Sequence, residues 1–443
     1  MPATATATAN GKPELEAVKS AQKANDAPAA GNVEAKAAPQ LPDWLKEDLF
    51  LDFFKANITG FKAINKFSAK PAQGAGENYA TIIALVKAEV ELEGGKSKEV
   101  SYMLKLPIDA VQKLMNSRNI FVIEIMMYSD VIPEMEKMYT DVGVEVKFSP
   151  QYYELKTPSK SDVILMEDLR QRGFKNTNRL EGFDMEHTKH TLEKLAQWHA
   201  ASAVRVETKG KYPDVLNTGL FTDDLLNVME QMDKMAGTLY EDCVRTYEGH
   251  EEYIDSFIKF HDSFFKELRA AKKHDPNAFN VLNHGDFWAN NVMFQYDAFG
   301  KIKETYFVDF QMPCYGSPVI DLYTILLSST QLEVKLKHFD YFIKYYHDKL
   351  TECLKLLKYP KKLPNLKDIH IALLKYGVLG FTTASGHMAI VLLDPSEAGD
   401  LTDMLGDTPA SLKHRKAMLT GSRYKEHAKV VFPWLHNRGA FEG

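Results

Sequence analysis

The chain has 443 residues, of which 45% are hydrophobic and 26% charged, and its formal net charge at pH 7 is -6. This length suits two domains or one two-lobed unit, and the composition is that of a globular protein with ample core residues. Because the balance is acidic, the chain lacks the basic footprint of a nucleic-acid-binding protein, and we expect no nucleic-acid partner.

Cysteine usage and the N-terminus indicate where the protein works. Cys243, Cys314 and Cys353 are odd in number and widely spaced, which argues against a disulfide framework or a zinc cluster. The N-terminus has neither the apolar segment of a signal peptide nor the arginines of a mitochondrial presequence. We therefore expect a cytoplasmic protein.

The N-terminal 40 residues differ from the rest of the chain. Residues 1–40 are rich in Ala, Thr, Pro and Lys and have almost no large apolar side chains, so we predict a disordered tail. Order is predicted to begin at Asp43, as the N-cap of a helix whose apolar residues between Leu45 and Phe54 share one face.

The predicted elements divide the chain into two lobes. A lobe rich in strands, 41–168, is predicted to contain strands at 58–69, 79–92, 99–106, 144–155 and 162–166, with a helix over 109–138. A larger lobe, 169–443, is predicted to contain helices at 185–204, 250–272, 333–357, 367–393 and 410–428, interrupted by a hairpin within 281–310. The fold class is therefore α+β.

One helical segment approaches the length of a membrane span. The stretch from Tyr376 to Leu393 is uncharged, but it contains His387, hydroxyl side chains and three glycines. We interpret it as a buried helix broken near Gly386, and we expect no membrane span.

The most informative motif runs from His284 to Asn291, His-Gly-Asp-Phe-Trp-Ala-Asn-Asn, and is followed by a hairpin and by Asp309. Phosphoryl transfer needs a carboxylate to orient the attacking hydroxyl and oxygen ligands for magnesium. Asp286 suits the first role, and Asn291 and Asp309 suit the second. The alternative is a loop whose Asp and His only cap turns.

These motifs, together with Gly316–Leu322 and Glu167–Leu169, resemble the ecdysteroid kinase-like family of arthropods, which is related to aminoglycoside phosphotransferases and choline kinases. The resemblance extends over most of residues 41–430. It implies a bilobal protein-kinase-like fold and ATP-dependent phosphorylation of small-molecule alcohols. Gln311 stands where protein kinases have the glycine of their Asp-Phe-Gly motif, as is common in small-molecule kinases of this type.

Residues before the motif are candidates for binding the ATP phosphates. Lys105, on the third predicted strand, is expected to reach the ATP phosphates, although a solvated strand lysine is the alternative. The resemblance makes Glu124 its partner. Glu134 is a weaker candidate, because it follows Pro133 and is expected to lie past the helix.

Further residues are expected to contact the nucleotide. Gly74, Gly76 and Asn78 lie in a turn that can cover the phosphates, although a plain hairpin turn is the alternative. By analogy with kinase hinges, the carbonyl of Glu167 and the amide of Leu169 are expected to bond adenine; an ordinary strand end is the alternative.

Other residues near the motif are assigned to support or to the acceptor. His284 and Asp321 are expected to support the loop, and His199 is interpreted as a core histidine. Trp288 and Tyr315 are candidates for acceptor contact, with core packing as the alternative for Trp288.

The sequence thus predicts an ATP- and Mg²⁺-dependent kinase for the hydroxyl of an apolar alcohol, with an ecdysteroid or a related steroid or xenobiotic as the leading acceptor. The alternatives are a choline or ethanolamine kinase and a non-catalytic pseudokinase that binds a hydrophobic ligand. No obligate protein partner is indicated.

Overall fold

A computed structural model of the chain describes residues 40–72, 81–108, 119–158, 162–217, 219, 221–273, 275–397, 406 and 408–442. The predicted tail lies outside the described residues except for residue 40, and so do Gly74, Gly76 and Asn78. The rest combines a small antiparallel sheet region with a larger helical region, which confirms the predicted α+β kinase-like fold.

The small region is built on a five-stranded antiparallel sheet within the described residues, with strand order β1-β2-β3-β5-β4. Its strands are β1 (Phe61–Pro71), β2 (Thr81–Leu92), β3 (Ser97–Pro107), β4 (Tyr152–Tyr153) and β5 (Ile164–Glu167). In β2, fully buried residues alternate with less buried ones over much of the strand, as expected for one face packed on a core. A two-glycine turn at Gly94 and Gly95, both with positive φ, joins β2 to β3.

An aromatic cluster packs against this sheet. A 3-10 turn, Glu47–Phe50, leads into helix α1 (Leu51–Asn57), whose Phe53 packs edge-on against Tyr102 of β3. The predicted N-cap at Asp43 is wrong, because Asp43 lies in a separate turn in which the Leu45 amide bonds the Pro42 carbonyl.

Helices dominate the remainder of the described chain. They are α2 (Ile120–Met126), α3 (Ile132–Thr140), α4 (Met185–Lys209), α5 (Asp223–Ala236), α6 (Leu239–Val244), α7 (Ile254–Ala271), α8 (Val319–Ser328), α9 (Leu332–Lys335), α10 (Phe339–Leu356), α11 (Leu366–Lys375), α12 (Gly377–Thr382), α13 (Met388–Leu392), α14 (Pro409–Thr420) and α15 (Ser422–His436). Two π-helical turns, Met127–Val131 and Thr383–His387, join α2 to α3 and α12 to α13.

Short strands interrupt the helices. They are β6 (Phe174–Lys175), β7 (Val281–Asn283), β8 (Val292–Tyr296), β9 (Ile302–Phe307) and β10 (Cys314–Gly316). Strands β8 and β9 form the predicted hairpin, and β6 pairs with β8. Strand β10 pairs with β7, which places the segment after the hairpin beside the start of the predicted catalytic loop.

Two predicted elements are corrected. The strand predicted at 144–155 is reduced to Tyr152–Tyr153, because the Phe148 amide donates to the Glu136 carboxylate and its carbonyl accepts from Phe307. The helix predicted at 367–393 is not broken at Gly386; the chain passes through a π-helical turn and continues as α13. Helices α5, α6 and α8 were not predicted.

The main core lies in the helical region. Helix α4 contributes many of its side chains to it and packs closely along α10, and α8 is buried along most of its length. Across the helices that are described, none is both long and apolar enough to cross a membrane.

A buried lysine in this core gives a test of the packing. The Lys335 side chain is fully buried, its ammonium donates to the Leu327 carbonyl, and Met388 Sδ lies 3.9 Å away. Burial lowers the pKa of Lys335 to about 7. Below pH 7 both the folded and unfolded states carry the charge, whereas between about pH 7 and 10 the unfolded state binds more protons, so stability rises with pH.

We therefore expect Lys335→Met to increase the free energy of unfolding at pH 6 by about 1–3 kcal/mol. The gain should shrink at pH 9, where the wild-type lysine is neutral in the folded state. Urea unfolding at both pH values measures this, with the exposed Lys337→Met as the control. An equal gain at both pH values would contradict a buried, neutralised lysine.

Candidate active site

The loop between β7 and β8 is held by one buried carboxylate. Asp321, in the first turn of α8, is fully buried and accepts hydrogen bonds from the amides of His284, at 2.7 Å, and Gly285, at 3.0 Å. His199 of α4 reaches the same carboxylate with Nε2 at 3.3 Å and contacts the Tyr346 hydroxyl with Nδ1 at 2.7 Å. Asp321 therefore fixes the start of the loop, and His199 is a core histidine with both ring nitrogens engaged.

Gly285 allows the loop to pass close to the chain after the hairpin. Its φ is +82°, and a Cβ built on it would lie 1.8 Å from the Met312 carbonyl oxygen. No other residue type fits both the conformation and the space.

Asp286 follows directly and is held at both oxygens. The Asn291 amide Nδ2 donates to the Asp286 carbonyl at 2.8 Å and to its Oδ2 at 3.1 Å. His387 Nε2 lies 3.3 Å from Asp286 Oδ1. The Asp286 side chain keeps 24% of its surface exposed, so it can still meet a ligand.

The surroundings keep Asp286 ionised. Burial alone would raise the pKa of its carboxyl, but the hydrogen bond and charge of His387, the charge of His284 and a hydrogen bond from Trp288 outweigh burial and hold the pKa below its usual value. At neutral pH the group is therefore a carboxylate that accepts hydrogen bonds.

The β8–β9 hairpin brings Asp309 beside this loop. Val292 pairs with Phe307, and the Val308 amide donates to the Asn291 carbonyl at 3.0 Å. Asp309 comes next in the chain and has a φ of +68°, a conformation that is uncommon outside glycine. The two predicted metal ligands, Asn291 and Asp309, thus lie at one end of the same hairpin.

Phe310 anchors the backbone at this point. Its ring is fully buried, stacks on Trp198 at 5.2 Å between centroids, and meets Tyr128 edge-on at 5.4 Å. The His284 ring lies 4.8 Å from it. This aromatic packing fixes the chain on the far side of Asp309.

Lys105 links the sheet to this site. Its Nζ lies 2.6 Å from Glu124 Oε2 and 2.7 Å from Asp309 Oδ1, and only 2% of the side chain is exposed. Burial lowers the pKa of Lys105, but the two carboxylates outweigh it and raise the value to about 12. The geometry excludes the alternative of a solvated strand lysine.

Glu134 has a different position from the one predicted. It lies inside α3, in which Pro133 is the second residue, and it pairs with Arg205 Nε at 3.0 Å and with Lys209. Proline is compatible with the first turn of a helix, so the helix does not end there. Glu134 ties α3 to α4 and does not contact Lys105.

The predicted hinge residues lie where the sheet ends. Glu167 is the last residue of β5, and its carboxylate pairs with Arg172 at 3.3 Å. Leu169 begins a 3-10 turn, capped by Asp168, which accepts from the Arg170 amide. The chain passes through this turn into β6 and the helices.

The two candidate acceptor residues have separate surroundings. Trp288 hydrogen-bonds the Asp286 carboxylate, so it helps hold that group. Tyr315 lies in β10 opposite Leu282, and its ring is 5.8 Å from that of Tyr212. The structure brings Trp288, but not Tyr315, into contact with Asp286.

Within the described ranges, no three His, Cys, Asp or Glu side chains form a metal site. The Asn291 amide nitrogen already donates to Asp286, which leaves its Oδ1 for a cation, and Asp309 uses Oδ1 for Lys105 and has a second oxygen. Two such oxygens fit Mg²⁺, which usually takes one or two carboxylates, substrate phosphates and water.

His387 is the site residue that sequence reasoning did not assign. It is the last residue of the π-helical turn Thr383–His387, which shifts the register of the helix. A regular 3.6-residue period cannot show which side chain faces the loop beyond such a turn, so no sequence signal was available.

The sheet, the loop and the Lys105 contacts together define a kinase-like protein. A model of the ecdysteroid kinase-like family matches residues 75–359, which is more than half of the chain. The chain therefore belongs to the ecdysteroid kinase-like family, and this membership supports a small-molecule kinase. No curated protein matches the chain.

Two glycines allow the close approach at the loop to be tested. Gly285 and Gly300 both have positive φ, at +82° and +78°, but a Cβ on Gly300 would meet nothing within 4 Å. We expect Gly300→Ala to cost about 1 kcal/mol of stability from backbone strain alone, and Gly285→Ala to cost about 3 kcal/mol or more because of the clash with Met312. Denaturant unfolding of both variants measures the difference. Equal losses would show that the loop can move away from Met312.

Proposed function

We propose that this protein transfers the γ-phosphoryl group of ATP to a hydroxyl of an apolar alcohol, with an ecdysteroid as the leading acceptor. The observation that carries the proposal is the Lys105 ammonium held between Glu124 and Asp309, at 2.6 and 2.7 Å, beside the loop that bears Asp286. A lysine, a metal-binding carboxylate and an orienting carboxylate are the parts that phosphoryl transfer requires.

For the nucleotide, Lys105 would contact the phosphates, while Glu124 holds its ammonium in place. Gly74, Gly76 and Asn78 remain proposed phosphate contacts. The hinge would be the Glu167 carbonyl and the Leu169 amide, at the proposed boundary between a lobe of residues 41–168 and one of residues 169–443. The position of these residues, where β5 ends and the chain passes through a 3-10 turn toward the helices, supports this assignment.

For the metal, Asn291 and Asp309 would hold Mg²⁺, which would neutralise charge on the phosphates. Their two oxygens at one end of the β8–β9 hairpin support this.

Asp286 would orient the acceptor hydroxyl and accept its proton as the oxygen attacks phosphorus. Its exposed fraction and its carboxylate state support this role. Removing an orienting group or base typically costs about 10²–10⁴ in rate.

The family supplies most of the support for an apolar acceptor. The small number of acidic residues near the loop supplies some further support. Between residues 281 and 320 the acidic residues other than Asp286 and Asp309 are Asp297, in the hairpin turn, and Glu304, which pairs with Lys194 at 2.9 Å. A cationic aminoglycoside would need more carboxylates near the loop. Phe287, the aromatic residue that follows Asp286, is fully buried against Phe307, so it adds no support for an apolar acceptor.

A direct comparison of acceptors tests the proposal. The protein is incubated with Mg-ATP and an ecdysteroid, choline or an aminoglycoside at matched concentrations, and mass spectrometry detects the phosphate adduct. We expect the highest kcat/KM for the ecdysteroid, and a loss of about 10²–10⁴ in Asp286→Asn with ATP binding retained.

The other outcomes discriminate among the alternatives. A higher kcat/KM for either cationic acceptor would overturn the apolar acceptor. ATP binding without transfer to any acceptor in a broader screen of steroids, phenols and amino alcohols would indicate a pseudokinase. Turnover by Asp286→Asn close to that of wild type would remove Asp286 from the mechanism.

We also expect ATP affinity to depend on Mg²⁺ in the wild type and to lose that dependence in Asp309→Ala, because half of the proposed metal site is removed. Calorimetric titration of ATP with and without Mg²⁺ measures this. The matched control is Asp297→Ala, since Asp297 lies at the opposite end of the same hairpin. Equal Mg²⁺ dependence in wild type and Asp309→Ala would exclude Asp309 as a ligand.

A further inference from the structure

We infer that His387 is a positioning residue that holds the Asp286 carboxylate in the orientation needed to receive the acceptor hydroxyl. The inference rests on the proposed function. His387 lies beyond residues 75–359, the part of the chain that the family model matches.

The contacts of Asp286 show what His387 does. Its Nε2 lies 3.3 Å from Oδ1, while Asn291 Nδ2 lies 3.1 Å from Oδ2. A carboxylate only accepts hydrogen bonds, so the Nε2 of His387 must carry a proton, in the neutral as in the charged imidazole. Because the two donors engage different oxygens, the carboxylate cannot turn about its Cβ–Cγ bond without losing both bonds. One lone pair is then free to point toward a bound hydroxyl.

The orientation of the Asp286 carboxylate affects the rate of phosphoryl transfer more than it affects the affinity for the nucleotide. A reacting group that is held in place avoids the entropy of searching for the correct geometry, and small misplacements are costly. Asn291 holds Oδ2, and Trp288 also donates a hydrogen bond to the carboxylate. His387 adds the contact at Oδ1, which fixes the plane of the carboxylate from the other side.

The backbone that presents His387 is anchored independently of its imidazole. Before the turn, Gly380 packs so closely that a Cβ would lie 2.9 Å from Leu435. Within the turn, the Ala384 carbonyl accepts from the Tyr424 hydroxyl at 3.0 Å. After α13, Arg179 donates to the Leu393 carbonyl at 2.9 Å.

These anchors mean that the imidazole can be removed with the helix left in place. The π-helical turn between them sets which residue faces the loop. Such turns cost helix stability and are frequent at functional sites.

The test compares His387→Ala and His387→Gln with a matched control. His261, on helix α7, has its Nε2 3.2 Å from Asp233 Oδ1 on α5, and its side chain is 22% exposed compared with 17% for His387. With Mg-ATP and the best acceptor, we expect His387→Ala to lower kcat about 10- to 100-fold, with the KM for ATP within about twofold of wild type. His387→Gln keeps an N–H donor and should recover part of the loss, and His261→Ala should match wild type.

A double variant separates positioning from a general structural effect. If His387 acts through Asp286, adding His387→Ala to Asp286→Asn should cause no further loss of rate. The inference is overturned if kcat is unchanged in His387→Ala, if the KM for ATP rises while kcat does not fall, or if the two losses multiply.

A spectroscopic measurement keeps the inference separate from the proposed function. In protein with ¹⁵N-labelled histidine, we expect His387 in the Nε2–H tautomer in wild type and a mixture of tautomers in Asp286→Asn. An Nδ1–H tautomer in wild type would overturn the inference even in an active enzyme. If the wild type transfers no phosphate to any acceptor, the proposed function and the role of His387 in catalysis fail, while the tautomer still reports on the contact with Asp286.

Discussion

The site depends on a buried ammonium shared between two carboxylates that come from distant parts of the chain. Lys105 is on strand β3 of the sheet, Glu124 is on α2, the first described helix after that strand, and Asp309 follows the hairpin in the helical region. An isolated charge in this environment would be too costly to bury, and so would either carboxylate without the lysine. Each of the three charged groups therefore depends on the other two. Their ion pairs hold the sheet against the helical region at the site.

The remaining parts of the site are held by groups that do not face the ligand. Asp321 fixes the start of the loop through two backbone amides, and Gly285 lets that loop pass beneath Met312. Phe310 is wedged between Trp198 and Tyr128, so that Asp309 is held in a left-handed conformation that its own backbone does not favour. Local strain at the carboxylate that is proposed to bind the metal is thus supported by aromatic packing behind it.

The sequence predicted the structure correctly where residues close together in the chain determine it. The order of β1, β2 and β3 followed from β-branched residues and glycine turns, and the spacing from Asp286 to Asn291 and Asp309 needed only a hairpin to bring them together. It failed where tertiary contacts override local preference. Residues 144–151 have the composition of a strand, but the Glu136 carboxylate binds the backbone at Phe148. Pro133 was interpreted as the end of a helix, whereas it lies in the first turn of α3, which runs on to Thr140.

The two π-helical turns show why part of the site could not be predicted from the spacing of apolar residues in the sequence. One follows Glu124 and carries Tyr128 against Phe310; the other ends at His387, beside Asp286. Each adds a residue to a helical turn, so side chains beyond it face a direction that a 3.6-residue period does not give. The first turn is within the residues that match the family and the second is beyond them. The carboxylate that is proposed to receive the acceptor is therefore held from one side by the family motif and from the other by the C-terminal helices, where tertiary packing and hydrogen bonds set the geometry.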